Sequence, residues 1–198
     1  MKVVHEELLI ENGDFSHTAE YATIHQSLMA AIARIVWPSG KRKFTINPGK
    51  HINGVVPIQK AFINHLLSKN WISQHPFEST SSRKPGKFDV AFRVASGKYF
   101  AVEWETGNIS SSHRSVNRML LGIKQHQLVG GALVLPTRSL YNYLTDRIGN
   151  FEELQPYFSL WKDISYDPAV LLVLAVEHDA INPNVSPIKK GTDGRALG

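Results

Sequence analysis

The chain has no cysteine. That excludes a disulfide framework, a thiolate-bound metal, an iron–sulfur cluster and a cysteine nucleophile, and it fits a reducing compartment, so a cytoplasmic location is expected. Glycine and proline, 14 and 10 of 198 residues, are too sparse for a collagen-like or low-complexity chain. Long apolar runs are missing as well. The longest, residues 169–176, falls well short of the roughly 20 residues that a membrane-spanning helix needs, so no membrane partner is expected. The start, Met1-Lys2-Val3-Val4-His5-Glu6-Glu7, turns acidic too soon for a leader peptide. Nine histidines are present, but none stands in a His-x3-His or His-Glu-x-x-His arrangement, so a zinc hydrolase is not expected.

What is present is an ordinary globular composition. Apolar residues make up 42% and charged residues 20%, enough to bury a core. Repeats and long linkers are absent, and a single domain over residues 1–198 is expected. The 22 basic against 17 acidic side chains give a net charge of +5. That modest excess points weakly toward a polyanion, nucleic acid before membrane. The clusters Lys41-Arg42-Lys43 and Arg83-Lys84-x-x-Lys87 read as solvated loops or as clamps on a phosphate backbone.

Periodicity predicts a mixed α/β fold. A helix is expected from Ser16 or Thr18 to Val36, with Ile24, Leu28, Ala31 and Ile35 on its buried face. A second follows Pro57 and buries Ile58, Phe62, Leu66 and Leu67. Strict alternation then marks two strands. In the first, Phe88, Val90, Phe92 and Val94 lie on one face. In the second, Phe100, Val102 and Trp104 alternate with Ala101, Glu103 and Glu105. Ala95-Ser96-Gly97 reads as a three-residue hairpin loop. Further expectations are a helix over about 110–125 capped from its serine run, a strand at 131–135, helices near 139–147 and 151–157, and a buried strand at 170–176.

The hairpin has a chemical consequence. With Val94 opposite Lys98, Asp89 falls opposite Glu103 on one face of the sheet, and Glu105 shares that face. Three carboxylates beside a core repel one another. A hard divalent cation with oxygen ligands, Mg²⁺ or Mn²⁺, would compensate. A solvent-facing strand with hydrated carboxylates satisfies the same loose pattern. Directly after the acids comes a polar turn, Thr106-Gly107-Asn108, leading into a helix start at Ile109-Ser110-Ser111-Ser112-His113-Arg114. Free N–H groups at such a start suit a phosphate, and Arg114, one turn in, is placed to reach a base edge. His113 reads equally as a phosphate contact or as a cap or solvated residue.

The run Glu103-Trp104-Glu105-Thr106-Gly107-Asn108-Ile109-Ser110-Ser111, followed by His113-Arg114-Ser115, resembles the core of the BamHI family of type II restriction endonucleases. So do Phe44-Thr45-Ile46-Asn47, Asn53-Gly54-Val55-Val56-Pro57-Ile58, Tyr143-Leu144-Thr145-Asp146-Arg147, Asn150-Phe151-Glu152-Glu153-Leu154 and Gly191-Thr192-Asp193-Gly194. The resemblance implies a PD-(D/E)XK core with a mixed central sheet flanked by helices. It also implies a homodimer that cleaves double-stranded DNA at GGATCC with Mg²⁺, leaving a 5′-phosphate and a 3′-hydroxyl. Under it Asp89, Glu103 and Glu105 are the catalytic carboxylates. Asp89, Glu103 and the backbone carbonyl of Trp104 hold the metal, and Glu105 positions or deprotonates the attacking water. Asn108, Ser110, Arg114, Asp146 and Arg147 are the DNA-reading residues, joined by Gly191, Asp193 and Arg195 from a tail at about 183–198.

Departures from the family pattern have consequences. Gln74 stands where the family has another glutamate near the metal, which removes a charge. Arg195 replaces an uncharged residue, and Ser159 an acid on the expected dimer face. The chain ends at Gly198, where the family's longer namesake continues into a helix that rearranges on DNA. On the residues alone, a repair or structure-specific nuclease and a DNA-binding protein with a vestigial metal site stand as alternatives.

Overall fold

A computed structural model describes residues 1–77, 86–145, 147–166 and 168–190. Its centre is a six-stranded mixed sheet. The strands are β1 (Lys2–Asn12), β3 (Ile72–Phe77), β4 (Gly86–Arg93), β5 (Tyr99–Trp104), β6 (Leu128–Pro136) and β7 (Ala169–Glu177), in spatial order β1-β7-β6-β5-β4-β3. β5, β6 and β7 run parallel, while β1, β4 and β3 pair antiparallel with β7, β5 and β4. Parallel strands are covered on both faces, which is why β6 is buried throughout and β7 at all but its last residue.

One face packs on α1 (Ala19–Ala33) and α2 (Val56–Leu67), through Val90, Phe100, Val102 and Leu172 meeting Ile24, Leu28, Phe62 and Leu66. The other packs on α3 (Ile109–Lys124), α5 (Phe151–Leu154) and α6 (Phe158–Lys162), through Ala101, Leu133, Leu171 and Val173 meeting Val116, Met119 and Phe158. α3 comes close to β6 because residue 131 is glycine: a Cβ there would lie 2.4 Å from Met119 Sδ. A short parallel pair, β2 (Thr45–Ile46) and β8 (Ala180–Ile181), lies outside the sheet, and α4 (Arg138–Tyr141) follows β6. Among the described residues no helix is long and apolar enough to cross a membrane.

The mixed sheet flanked by helices is as expected, with differences that have local causes. β1 escapes the alternation rule because two register shifts, at Val3/His5 and Leu8/Ile10, leave adjacent Leu9 and Ile10 both buried. β3 is a polar edge strand containing Pro76. The serine run does not cap α3; the Asn108 side chain does. The helix expected over 139–147 stops at Tyr141, because the chain beyond it bonds elsewhere. Asn142 and Tyr143 carbonyls accept from the His51 and Asn53 N–H groups, and the Thr145 N–H donates to the Asn53 carbonyl. The left-handed φ of Arg147, 70°, also lies outside a helix.

Candidate active site

The β4–β5 hairpin has the expected register. Val90 pairs with Val102 and Arg93 with Tyr99, the Val94 N–H donates to the Lys98 carbonyl over 3.0 Å, and Gly97 takes φ 84° in the loop. One step beyond the Val90–Val102 pair, Asp89 comes opposite Glu103. There the ladder changes character. The Trp104 N–H donates to Asp89 Oδ2 (2.9 Å), and Gln59 Nε2 from α2 donates to the same oxygen (3.1 Å). The carboxylate thus accepts where a ladder carbonyl otherwise would. The strand's alternation breaks at this point: Phe88 is buried on the α3 face and Val90 on the α1–α2 face, so the four alternating apolar residues do not share one face.

Glu103 is 7% exposed. Its Oε1 lies 3.0 Å from Arg118 Nη2, but the two are not aligned as a hydrogen bond, and this oxygen is buried with no hydrogen-bond partner. Burial, then the nearby Asp89 and Glu105 charges, push its pKa up to about 8 against the pull of Arg118. Burial also raises Asp89, opposed by the Trp104 and Gln59 bonds. Glu105, 4% exposed, lies past the strand end. Its Oε1 accepts from the Gly107 N–H (2.6 Å) and its Oε2 from the Ser112 hydroxyl, and burial raises its pKa against those bonds.

The three carboxylates stay within electrostatic reach, since the Asp89 and Glu105 charges both raise the Glu103 pKa, but they are held by different partners. Asp89 and Glu103 face each other, whereas Glu105 is drawn to the turn before α3 and to its first turn. Among the described residues no group of three or more acidic or histidine side chains is arranged to hold a metal ion. The donor set still suits one: hard oxygen ligands, with a buried carboxylate oxygen at Glu103 that makes no hydrogen bond and has only the Arg118 ion pair.

Part of the compensating charge comes from the protein. Arg118 also donates from Nη1 to the Lys87 carbonyl (2.8 Å) and lies 5.5 Å from the Phe88 ring centre. Sequence reasoning missed it. The available signal was its place on α3, in line with Ser115 and Gly122, both buried. Gln59 and Ser112, which orient Asp89 and Glu105, carried no such signal.

The remaining expected residues divide by position. Asn108 is exposed and caps α3 with its side chain accepting from the Ser111 N–H (3.3 Å). Ser110 is exposed in the first turn, and exposed Arg114 donates to Ser111 Oγ (2.9 Å). Arg147 is exposed two residues before Gly149, whose N–H donates to the Gly107 carbonyl over 2.8 Å. That bond brings the Arg147 turn to the start of α3. His113 is partly exposed and packs on Tyr157 and Trp161, with ring centres 4.5 and 5.4 Å away. Gln74 is exposed on β3, with a left-handed φ of 51°. Lys41, Arg42, Lys43 and Lys87 are exposed. Arg83, Lys84, Asp146, Gly191, Asp193 and Arg195 lie outside the described residues.

The profile of the family described as restriction endonuclease BamHI matches residues 1–195. The chain is 45% identical over 197 residues to the type II restriction enzyme OkrAI of Oceanobacter kriegii, covering all of both chains. It is 36% identical over 177 residues to the type II restriction enzyme BamHI of Bacillus amyloliquefaciens, covering 86% of this chain and 81% of that one. In structure it resembles the restriction endonuclease BglII, crystallised with a DNA 16-mer. The TM-score is 0.61 at 12% identity, covering 94% of this chain and 88% of that one, a likeness of fold. Similarity along the whole chain and a restriction-endonuclease fold with buried carboxylates beside a polar helix start agree, and the chain belongs to the BamHI family of type II restriction endonucleases.

Proposed function

We propose that the protein is a homodimer that cleaves double-stranded DNA at the palindrome GGATCC with Mg²⁺, for which Mn²⁺ can substitute. The observation that carries this reading is the buried Glu103 carboxylate beside Asp89, one oxygen of which makes no hydrogen bond and is met only by the Arg118 charge. The target follows from the family resemblance of the segments that include Asn108-Ile109-Ser110 and Asp146-Arg147. A palindrome favours two-fold protein symmetry, since each subunit then reads one half-site. The enzyme would act in the cytoplasm.

Asp89, Glu103 and the Trp104 carbonyl would hold the cation, whose chemistry is to neutralise charge developing on the scissile phosphate. Glu105 would orient the attacking water and accept its proton. Gly107 and Ser112 fix that carboxylate's direction, and its raised pKa makes it a better base than an exposed glutamate. The water oxygen bonds to phosphorus as the bond to the 3′ oxygen breaks, and that oxygen takes up a proton. The products are a 5′-phosphate and a 3′-hydroxyl.

Recognition is assigned to Asn108, Ser110, Arg114 and Arg147 on the surface joined by the Gly149–Gly107 bond, with Asp146, Gly191, Asp193 and Arg195. Arginine can bond guanine O6 and N7 together, and aspartate accepts from cytosine N4. Arg147→Ala is expected to weaken binding to site-bearing duplex by about 1–3 kcal/mol and leave non-specific duplex unaffected. Equal loss on both, in gel shifts at one salt concentration, would remove Arg147 from base reading.

The deciding experiment is digestion of a sequenced plasmid with Mg²⁺ and with EDTA, followed by sequencing of the ends. Discrete, Mg²⁺-dependent fragments ending within GGATCC are expected. Indiscriminate nicking would point to a repair nuclease, and salt-sensitive binding without cleavage to a vestigial site.

A further inference from the structure

Asn53 is fully buried in a loop, on the far side of α2's sequence from the acidic pocket, and every polar group it owns is used. Its Nδ2 donates to the Asn47 carbonyl (2.9 Å) and the Tyr143 carbonyl (2.8 Å), and its Oδ1 accepts from the Ile188 N–H (3.1 Å). Its backbone N–H donates to the Tyr143 carbonyl (3.0 Å), and its carbonyl accepts from the Thr145 N–H (2.7 Å) and hydroxyl (3.1 Å). The neighbouring Gly54 completes the clasp. Its N–H donates to the Ile188 carbonyl (2.9 Å), and a Cβ there would lie 2.2 Å from the Lys189 carbonyl oxygen. Only glycine allows that approach.

One buried amide thus ties together three stretches distant in sequence: 47, 143–145 and 188–190. Two of them are the stems of segments assigned above to DNA. Thr145 directly precedes Asp146 and Arg147, and Lys190 directly precedes Gly191. An apolar residue at 53 would leave the Asn47 carbonyl and the Ile188 N–H without these partners in a dry interior, the Tyr143 carbonyl keeping only the backbone N–H of residue 53, and an aspartate would set a carboxylate against two carbonyls. The bonds from His51 and Asn53 to residues 142–145 accompany the end of the helix after β6 at Tyr141, where the chain turns toward Arg147 instead of winding onward.

We propose that Asn53 is a positioning residue for sequence discrimination: it holds residues 143–145, which lead toward Arg147, in one fixed relation to residues 188–190, so that Arg147 is presented to the half-site in a set direction. This rests on the recognition reading above. A displacement of about 1 Å at a reading side chain costs discrimination out of proportion to its effect on stability.

The test measures cleavage of the preferred site against duplexes differing from it by one base pair, together with the melting temperature. The variants are Asn53→Asp, Thr145→Val, which removes only the hydroxyl bond, and Gly54→Ala. Ile24→Val in α1 serves as a buried control outside the clasp. The clasp variants are expected to lower the discrimination ratio at least tenfold, and the control to keep it within twofold at a comparable melting temperature. Should Asn53→Asp fail to fold, Thr145→Val and Gly54→Ala carry the comparison. Folded clasp variants with an unchanged ratio, while Arg147→Ala loses discrimination, would overturn the inference and leave the recognition reading standing. Full discrimination by Arg147→Ala, or none by the wild type, would instead sink the recognition reading and this inference with it.

Discussion

Glu103→Gln is expected to cut DNA at below about 1% of the wild-type rate, since loss of even an outer partner of a metal ligand costs about 10–100-fold. It should bind site-bearing duplex as tightly or more tightly, because a buried negative charge facing the phosphate is gone. The same substitution is expected to stabilise the metal-free protein. The folded-state pKa of about 8 lies above the carboxyl's ordinary 4.5, so the folded state holds this proton longer than the unfolded state does. Stability contributed by the protonated form is complete below about pH 4.5 and lost as pH rises through 8. Glutamine imitates the protonated acid and escapes that loss. In EDTA the variant should match the wild type at pH 4.5 and gain about 1–3 kcal/mol by pH 9, roughly 2–4 °C of melting temperature per kcal/mol for a chain of this size. A gain independent of pH would show that the carboxylate is not under electrostatic strain, and cleavage at the wild-type rate would end its catalytic assignment.

Arg118→Met should have the opposite sign. Without the guanidinium, ionised Glu103 loses its nearest cation, and the melting temperature at pH 9 in EDTA should fall by the equivalent of about 1–3 kcal/mol. The value lies below the usual 3–5 for breaking a fully buried pair, because Arg118 keeps some solvent contact. At pH 5.5, where Glu103 is protonated, only the Lys87 bond and the packing on Phe88 are lost, and most of the deficit should vanish. In the double variant Glu103→Gln/Arg118→Met the two effects should be strongly non-additive. Divalent cation should restore much of the pH 9 loss if these carboxylates hold it. A pH-independent deficit would reduce Arg118 to a packing residue.

Much of the fold was legible because period-two and period-3.6 patterns report burial directly. The hairpin of Val90 to Trp104, the α3 stripe of Val116, Met119 and Ile123, and the buried β7 were all readable for that reason. β1 and β3 were not, since bulges and an exposed polar edge erase the pattern. The early end of the helix after β6 was invisible too, because its competitor, the Asn53 loop, lies 90 residues away in sequence.

The candidate site divides along the same line. Register is a local property of a hairpin with a three-residue loop, so the chain alone placed Asp89 opposite Glu103 and set a polar helix start, capped by Asn108, three residues past Glu105. Where each carboxylate points depends on groups that arrive from elsewhere: Gln59 from α2 on Asp89, Arg118 two turns along α3 on Glu103, and Gly107 with Ser112 on Glu105. A buried charge takes its direction and its pKa from whichever dipoles and charges the packing brings within hydrogen-bond reach, and those neighbours exist only once the helices have closed on the sheet.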